Sequence, residues 1–171
     1  MPTTILAIES SCDETAVAVL RQDAGKLEIL ASEISSQIDI HREFGGVVPE
    51  LASRNHSLHL RPLIEIALKD AGLKIHDIDA FGATAGPGLA SSLLVGNTTA
   101  KSLSVATGKP FISVNHMEGH LLSPFLEAPE LTSNLALIVS GGHTLLIHMK
   151  DFGDYTLLGS TRDDAAGEAY D

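Results

Sequence analysis

The sequence predicts an α/β fold with a mixed sheet, followed by the opening of a second, similar lobe. Three short apolar segments come first, and longer segments with apolar residues at helical spacing then alternate with single strands. Three short apolar segments recur beyond residue 133. The chain therefore reads βββ-α-β-α-β-α and then begins again as βββ-α.

The first third of the chain predicts three strands. Ile5–Ile8, Thr15–Leu20 and Leu27–Ile34 are rich in apolar and β-branched residues, and the turn residues 23–25 separate the last two. Strands that are joined by short turns pair antiparallel, because parallel pairing needs a long crossover connection. We therefore expect an antiparallel meander.

The middle of the chain predicts helices that alternate with strands. Between about residues 50 and 71, Leu63, Ile64, Ala67 and Leu68 recur at helical spacing. Pro62 lies inside this stretch, so the sequence allows one kinked helix or two consecutive helices. The elements expected next are a strand, a helix, a strand and a short helix, at Ile78–Ala85, Leu89–Thr107, Phe111–Val114 and the segment that carries His116 and His120.

The last part of the chain returns to strands. Leu135–Ser140, Thr144–Met149 and Tyr155–Ser160 have strand patterning, and Asp163–Asp171 has the acidic start and alanines of a helix N-terminus. Three antiparallel strands followed by parallel strands with crossover helices is the ribonuclease-H-like pattern. We expect one such lobe over residues 1–132, and the opening strands and helix start of a second, incomplete lobe over residues 133–171. The alternative is a single three-layer α/β domain with an extra hairpin.

Composition and charge exclude several classes of function. The chain has 171 residues, with 22 acidic against 11 basic side chains and a net charge of −11, which argues against nonspecific nucleic-acid binding by this chain alone. The single cysteine, Cys12, cannot form an internal disulfide and fits a reducing compartment. The sequence shows neither a signal peptide nor a membrane span.

The sharpest local signal is His116-Met117-Glu118-Gly119-His120. Residues four apart lie on one face of a helix, so two neutral imidazoles can bind one metal ion there. The glutamate does not directly follow the first histidine, as it does in the zinc-protease pattern. A glycine inside a helix costs about 1 kcal/mol relative to alanine, so Gly119 indicates a close approach to another group. The alternative is two surface histidines on a helix.

Turns rich in glycine or hydroxyl groups supply further candidates. Ser140-Gly141-Gly142 follows an apolar strand and can form an anion-binding nest, although a plain hairpin turn explains the glycines equally well. Asp13 and Glu14 lie between the first two strands, where they can orient a metal or an attacking group, or be part of a solvated polar turn.

Two more signals are weaker. Gly86-Pro87-Gly88 precedes a helix N-terminus, which offers N–H donors to an anion, or it is ordinary turn chemistry. Cys12 is expected to be small and partly buried.

Together these motifs resemble one family, the tRNA threonylcarbamoyl-transfer enzymes called TsaD, formerly described as O-sialoglycoprotein endopeptidases or glycoproteases. The resemblance covers essentially the whole chain. The motifs that carry it, in the family's order, are Ile8–Thr15, Gly45–Arg54, Thr84–Leu89, His116–His120, Val139–Thr144 and Asp163–Asp171.

The resemblance implies the fold of the actin, sugar-kinase and Hsp70 superfamily and the transfer of a threonylcarbamoyl group from threonylcarbamoyl-AMP to the exocyclic amine of the tRNA adenosine beside the anticodon. It implies that His116 and His120 bind one divalent metal ion, iron(II) or zinc. The family's stretch for binding the adenylate-containing substrate falls on Ile138, Val139, Ser140, Gly141, Gly142 and Asp171. Asp13 and Glu14 are candidates for positioning the amine or assisting proton transfer.

The family also implies partners and a compartment. It implies tRNA, a TsaB-like paralogous subunit and an ATPase subunit as partners, no membrane, and a cytoplasmic location. Family members are longer, so we expect this chain to be an N-terminal portion.

Three other functions stay open at this point. A metal-dependent glycoprotease is one, although the position of Glu118 argues against it. A noncatalytic scaffold paralogue of the same complex is the second, and the paired histidines His116 and His120 argue against that. The third is a sugar kinase or carbamoyltransferase of the same superfamily, and the histidine motif is not one that sugar kinases have.

Overall fold

The computed structural model describes residues 1–126 and 130–169. The chain divides into two compact units, Met1–Met117 and Glu118–Asp171, and each is described by itself. The predicted lobe boundary between residues 132 and 133 stays a prediction.

A five-stranded mixed sheet forms the centre of the first unit. Its strands are β1 Thr3–Glu9, β2 Glu14–Asp23, β3 Lys26–Ser36, β4 Ala80–Gly86 and β5 Phe111–Asn115. They lie in the order β3-β2-β1-β4-β5, in which β1, β2 and β3 pair antiparallel while β1, β4 and β5 pair parallel. This topology confirms the predicted meander followed by crossover strands.

The described part of the chain contains the helices α1 Ile38–His41, α2 Pro49–Asp70, α3 Ala90–Thr107 and α4 His116–Leu122, with short 3-10 turns at Arg42–Phe44, Ile75–Asp77 and Ser123–Phe125. Of the two possibilities at Pro62, the structure has one continuous helix. Pro62 is exposed, so water can hydrogen-bond the Leu58 carbonyl that the proline leaves without an N–H donor. A left-handed Gly108, with φ of 68°, ends α3.

The core lies between the sheet and the helices α2 and α3. Strand alternation places Leu6, Ile8, Val17 and Val19 on the helix-covered face. On β1 the intervening residues Ala7 and Glu9 therefore belong to the opposite face. Small side chains there leave a cavity of about 160 Å³ against the sheet, lined by Ala7, Ile8, Glu9, Ala16, Ala18, Gly82, Ala83, Thr84 and Val114.

The second unit contains an antiparallel sheet in the order β6-β7-β8, formed by β6 Asn134–Val139, β7 Thr144–Asp151 and β8 Asp154–Ser160. Ile147 and Met149 of β7 are buried. The helix expected from Asp163 is reduced, within residues 163–169, to one turn in which the Ala169 N–H donates to the Ala165 carbonyl at 3.2 Å. Gly167 lies inside this turn and weakens helix formation by about 1 kcal/mol relative to alanine.

No helix within residues 1–126 and 130–169 combines the length and the apolar character that crossing a bilayer requires.

Candidate active site at the carboxyl ends of three parallel strands

Four side chains of the first unit meet at the carboxyl ends of β1, β4 and β5: Glu9, Ser11, Thr84 and His116. β1 ends at Glu9, Thr84 lies near the end of β4, and His116 directly follows β5. Because these strands are parallel, their carboxyl ends share one edge of the sheet, which is where open α/β sheets bind ligands. The cluster therefore occupies the position expected of a functional site.

The Glu9 carboxylate is the hydrogen-bond acceptor at the centre of this cluster. The Ser11 backbone N–H donates to Oε1 and the Thr84 hydroxyl donates to Oε2. Oε2 also lies 3.7 Å from Nδ1 of His116. Burial alone would raise the pKa of Glu9, but the hydrogen bonds from His116, Ser11 and Thr84 outweigh burial and lower this pKa to about 2. Glu9 is therefore an anion at neutral pH.

Asp13 and Glu14, predicted as catalytic residues, lie on the turn between β1 and β2, which also carries Ser11. Asp13 is half-buried, and its backbone carbonyl accepts the Gln37 N–H at 3.0 Å. Glu14 is exposed at the start of β2. Both carboxylates are therefore within a few residues of Ser11 along the chain, and their catalytic roles stay predictions.

Cys12 lies on the same turn and is exposed, not partly buried as its small size suggested. Its thiol nevertheless loses part of its hydration. This desolvation, together with the neighbouring Asp13 carboxylate, raises the pKa of Cys12 to about 11. The thiol is therefore protonated at neutral pH, and Cys12 is a poor nucleophile.

A buried polar network is hydrogen-bonded to the turn between β1 and β2. His56 is fully buried on α2, where its Nδ1 lies 2.7 Å from the Thr15 hydroxyl and 3.3 Å from the Gln37 amide. Its Nε2 lies 3.0 Å from the Cys12 carbonyl, which can only accept, so Nε2 carries the proton. Gln37 in turn hydrogen-bonds the buried His41 at 3.3 Å. Burial lowers the pKa of His56 and keeps the imidazole neutral.

The paired histidines lie on the short helix α4, as the sequence predicted. Asn115 caps this helix, because its Oδ1 accepts the Met117 N–H at 2.9 Å. His116 is the first residue of α4 and His120 follows one turn later. Nδ1 of His116 lies 3.2 Å from the Ser11 hydroxyl.

The other two residues of this motif have roles that the sequence did not indicate. The Tyr155 hydroxyl of β8 donates to the Glu118 carboxylate at 2.7 Å, so Glu118 is held by a structural hydrogen bond within the second unit. A Cβ built on Gly119 meets no atom of the described residues within 4 Å. The expected close approach at Gly119 is therefore wrong for the described part of the chain.

The residues present fit the metal ion that the family resemblance implies. His116 and His120 offer imidazole nitrogens one helical turn apart, and imidazole suits both iron and zinc. Histidines that bind a metal commonly have a carboxylate beside the other ring nitrogen, and Oε2 of Glu9 lies 3.7 Å from Nδ1 of His116. Within residues 1–126 and 130–169, no cluster of three His, Cys, Asp or Glu side chains is arranged to hold a metal ion. The described chain thus offers two imidazoles at this helix, and their binding of a metal ion stays a prediction.

The predicted substrate-binding stretch covers the end of β6 and the turn into β7, namely Ile138, Val139, Ser140, Gly141 and Gly142. The Ser140 N–H donates to the His143 carbonyl at 2.8 Å, and the His143 N–H donates to the Ser140 hydroxyl at 3.0 Å. Gly141 and Gly142 are exposed at the tip. The turn is a hairpin, and anion binding by its glycines stays a prediction. Asp171, the last predicted substrate contact, lies outside the described residues.

The segment after β8 packs against this hairpin turn. A Cβ on Gly167 would overlap the Ser140 carbonyl, so only glycine allows this approach. The Ala166 N–H donates to the Thr144 hydroxyl at 2.7 Å. The Ser-Gly-Gly motif and the Ala-Gly-Glu motif therefore form one local structure.

The Gly86-Pro87-Gly88 turn packs against the β1–β2 turn. A Cβ on Gly88 would lie 2.6 Å from the Ser11 carbonyl oxygen, and the Leu89 N–H donates to that oxygen at 2.8 Å. This contact goes beyond ordinary turn chemistry, because the glycine permits the two backbones to touch.

Sequence reasoning missed Glu9, Thr84 and Ser11 as site residues, although all three fall inside the motifs it had singled out. Thr84 lies 75 residues from Glu9 along the chain, and Ser11 lies 105 residues from His116. These residues could have been found from their position, because each is a polar residue at or near the end of an apolar strand.

Comparisons with known proteins agree on one family. A family model described as "TsaD: tRNA N6-adenosine threonylcarbamoyltransferase" matches residues 28–171. Curated relatives with that name include one from Anaeromyxobacter dehalogenans, 54% identical over 99% of this chain and 50% of its own length. Another, from Caldicellulosiruptor bescii, is 55% identical over 98% of this chain and 49% of its own length. The chain spans about half the length of the curated relatives it matches.

Solved structures give the same fold. YeaZ from Pseudomonas aeruginosa superposes with a TM-score of 0.60 and 19% identity, over 92% of this chain and 65% of its own. The PPX-GPPA enzyme of Aquifex aeolicus superposes with a TM-score of 0.53 and 11% identity, over 94% of this chain and 52% of its own. These likenesses show that the chain shares the fold of these two proteins.

Proposed function

The chain belongs to the family of tRNA N6-adenosine threonylcarbamoyltransferases, and from this we propose that it builds part of the site at which the intact protein modifies tRNA. The reaction transfers the threonylcarbamoyl group of threonylcarbamoyl-AMP to the exocyclic amine of the adenosine beside the anticodon. The amine nitrogen bonds to the carbamoyl carbon, the bond from that carbon to the phosphate oxygen breaks, and AMP leaves. The observation that carries the proposal is the family match over residues 28–171.

His116 and His120 are the proposed ligands of one divalent ion, iron(II) or zinc. Bound there, the ion supplies Lewis-acid polarisation of an oxygen atom of the substrate. His116 is suited to the task because Ser11 and Glu9 contact its Nδ1, which fixes the ring. A ring that is already fixed binds a metal ion with less further loss of side-chain entropy.

The turn at Ser140, Gly141 and Gly142 is proposed to bind the adenylate-containing substrate, with Ile138 and Val139 leading into it. Backbone N–H groups of an exposed glycine turn can donate hydrogen bonds to an anionic oxygen. The hydrogen bonds between Ser140 and His143 hold the turn in one shape before substrate arrives. Asp171 is proposed as a further contact from the family motif alone.

Asp13 and Glu14 are proposed to position the adenosine amine or to accept the proton that it loses. Two features favour them. The turn that carries them also carries Ser11, which contacts His116, and the buried His56 holds that turn through the Cys12 carbonyl.

Partners and compartment follow from the same proposal. The net charge of −11 predicts that this chain binds tRNA weakly, so basic surface must come from the rest of the protein or from a partner. We propose a TsaB-like paralogue and an ATPase subunit as partners, and the cytoplasm as the compartment because the tRNA substrate is there.

Replacing both His116 and His120 by alanine in the intact protein tests the proposal. We expect metal content to fall below one ion per protein and threonylcarbamoyl transfer to be lost. Replacing His148, a histidine of the second unit outside the motif, is the matched control. A double variant that keeps both metal and transfer would refute the metal assignment. A wild-type protein that cleaves a glycoprotein, or that never modifies tRNA with its partners present, would favour the protease or the scaffold instead.

A further inference from the structure

Glu9 has a half-buried carboxylate that has no role in the proposed reaction. It ends β1, and its two oxygens have different partners: the Ser11 N–H donates to Oε1, and the Thr84 hydroxyl donates to Oε2. These donors come from the β1–β2 turn and from β4, so the carboxylate is fixed from two directions. Its Oε2 lies 3.7 Å from Nδ1 of His116.

The Ser11 hydroxyl and the Glu9 carboxylate both face Nδ1 of His116, and of these two groups the carboxylate selects a tautomer. The Ser11 hydroxyl, at 3.2 Å, can donate to Nδ1 or accept from it. A carboxylate that already accepts hydrogen bonds from Ser11 and Thr84 can only accept. The arrangement is therefore stable when the proton is on Nδ1 and unfavourable when Nδ1 carries a lone pair facing the anion. The lone pair of the neutral ring is then on Nε2.

We propose that Glu9 is a positioning residue, whose carboxylate holds the His116 imidazole in the Nδ1–H tautomer and so makes Nε2 the metal-binding nitrogen. This inference rests on the proposed metal role of His116. A purely structural Glu9 would only accept the Ser11 N–H at the end of β1 and would have no effect on the tautomer of His116. The proposed role differs because it sets that tautomer.

The Glu9→Gln variant of the intact protein tests the proposal with two measurements. The first is the ¹⁵N chemical shifts of the His116 ring in metal-free protein, recorded above pH 8, where an ordinary imidazole is neutral. We expect Nδ1–H in the wild type and a mixture of tautomers in the variant. The second is the affinity for zinc by equilibrium dialysis, which should fall about 10- to 100-fold, as is usual when the residue that orients a metal-binding histidine is lost.

Asp79→Asn is the matched control. The Asp79 carboxylate also accepts a backbone N–H of β1, from Thr4 at 2.9 Å, but at the opposite end of the strand. This variant should leave the His116 tautomer and the zinc affinity unchanged. If Glu9→Gln does not fold, Thr84→Val replaces it, because it removes one of the two donors that fix the carboxylate and should shift the tautomer in the same direction.

The outcomes separate this inference from the proposed function. A variant at Glu9 or Thr84 with pure Nδ1–H tautomer and unchanged zinc affinity would overturn the positioning role. A changed tautomer in a protein whose wild type binds no zinc or iron would support the positioning of His116 and refute the metal site. A changed tautomer together with weakened zinc binding supports both.

Discussion

Ser10 inserts its hydroxyl into the backbone of α3, and this contact makes a quantitative prediction possible. Ser10 is buried at the end of β1, where its Oγ donates to the Ser92 carbonyl at 2.8 Å and accepts the Gly96 N–H at 3.1 Å. In a regular α-helix these two backbone groups, four residues apart, pair with each other. The approach is possible because residue 96 has no Cβ.

The perturbation is Gly96→Ala. A Cβ at this position would lie 2.5 Å from the Ser10 Oγ and 3.1 Å from Cγ2 of Ile8. Ser10 must move, and each of its two hydrogen bonds contributes about 1 kcal/mol to stability. Overpacking adds about 1–3 kcal/mol, while the better helix propensity of alanine returns about 1 kcal/mol. We therefore expect the variant to lower the free energy of unfolding by about 2–4 kcal/mol.

Urea denaturation of the intact protein measures this loss, with Gly119→Ala as the matched control. Gly119 is also inside a helix, but its added Cβ meets no described atom within 4 Å, so the control should be neutral or up to about 1 kcal/mol more stable. Combining Gly96→Ala with Ser10→Ala should recover part of the loss, because the clashing oxygen is gone. Equal stability of the Gly96 and Gly119 variants, or strictly additive effects of the Ser10 and Gly96 changes, would refute the reasoning.

Three further predictions follow from the site. Because burial lowers the pKa of His56 below the value of about 6.5 expected in the unfolded chain, the unfolded state binds more protons. The free energy of unfolding should therefore fall as pH drops below about 6.5, and it should depend less on pH in His56→Asn. Urea midpoints at pH 5 and 7.5 measure this dependence. The same difference between the two midpoints in both proteins would contradict the prediction. The raised pKa of Cys12, about 11, predicts slow alkylation by iodoacetamide at pH 7 despite exposure, and a rate matching free cysteine would count against it. Gly167→Ala should displace the Ser140 turn, because the added Cβ overlaps the Ser140 carbonyl, and should weaken binding of an adenylate analogue about tenfold, or about 1.4 kcal/mol. Calorimetry measures this affinity, and Gly153→Ala in the β7–β8 turn is the control. Equal affinities of the two variants would argue against the contact.

The strands of the first sheet were largely predictable, because each of them follows from a local pattern. The alternation of Leu6 and Ile8 with smaller residues, and of Val17 and Val19 on the next strand, predicts both strands and their buried face. The continuity of α2 through Pro62 was not predictable, since it depends on which side of the helix the proline faces. That side is decided by packing in three dimensions.

The site was predictable only in part, for the same reason. The helical spacing of His116 and His120 identified both residues from local sequence. Glu9 acquires its role from Thr84 and His116, which lie on other strands, and no local pattern links them. The two helix glycines show that a close approach cannot be read from sequence. It was expected at Gly119, where an added Cβ meets no described atom within 4 Å. It occurs at Gly96, where an added Cβ would lie 2.5 Å from the Ser10 Oγ.

The contacts that join α3 to the β1–β2 turn have a consequence for how this region opens to solvent. The Leu89 amide is bonded to the Ser11 carbonyl, and the Gly96 amide is bonded to the Ser10 hydroxyl. Neither amide can exchange its hydrogen while residues 10 and 11 stay in place. We therefore expect the two amides to exchange with deuterium at matching rates, as members of one cooperative unit, although they lie two helical turns apart. The turn that carries Asp13 and Glu14 then opens to solvent together with α3 and not as an independent loop.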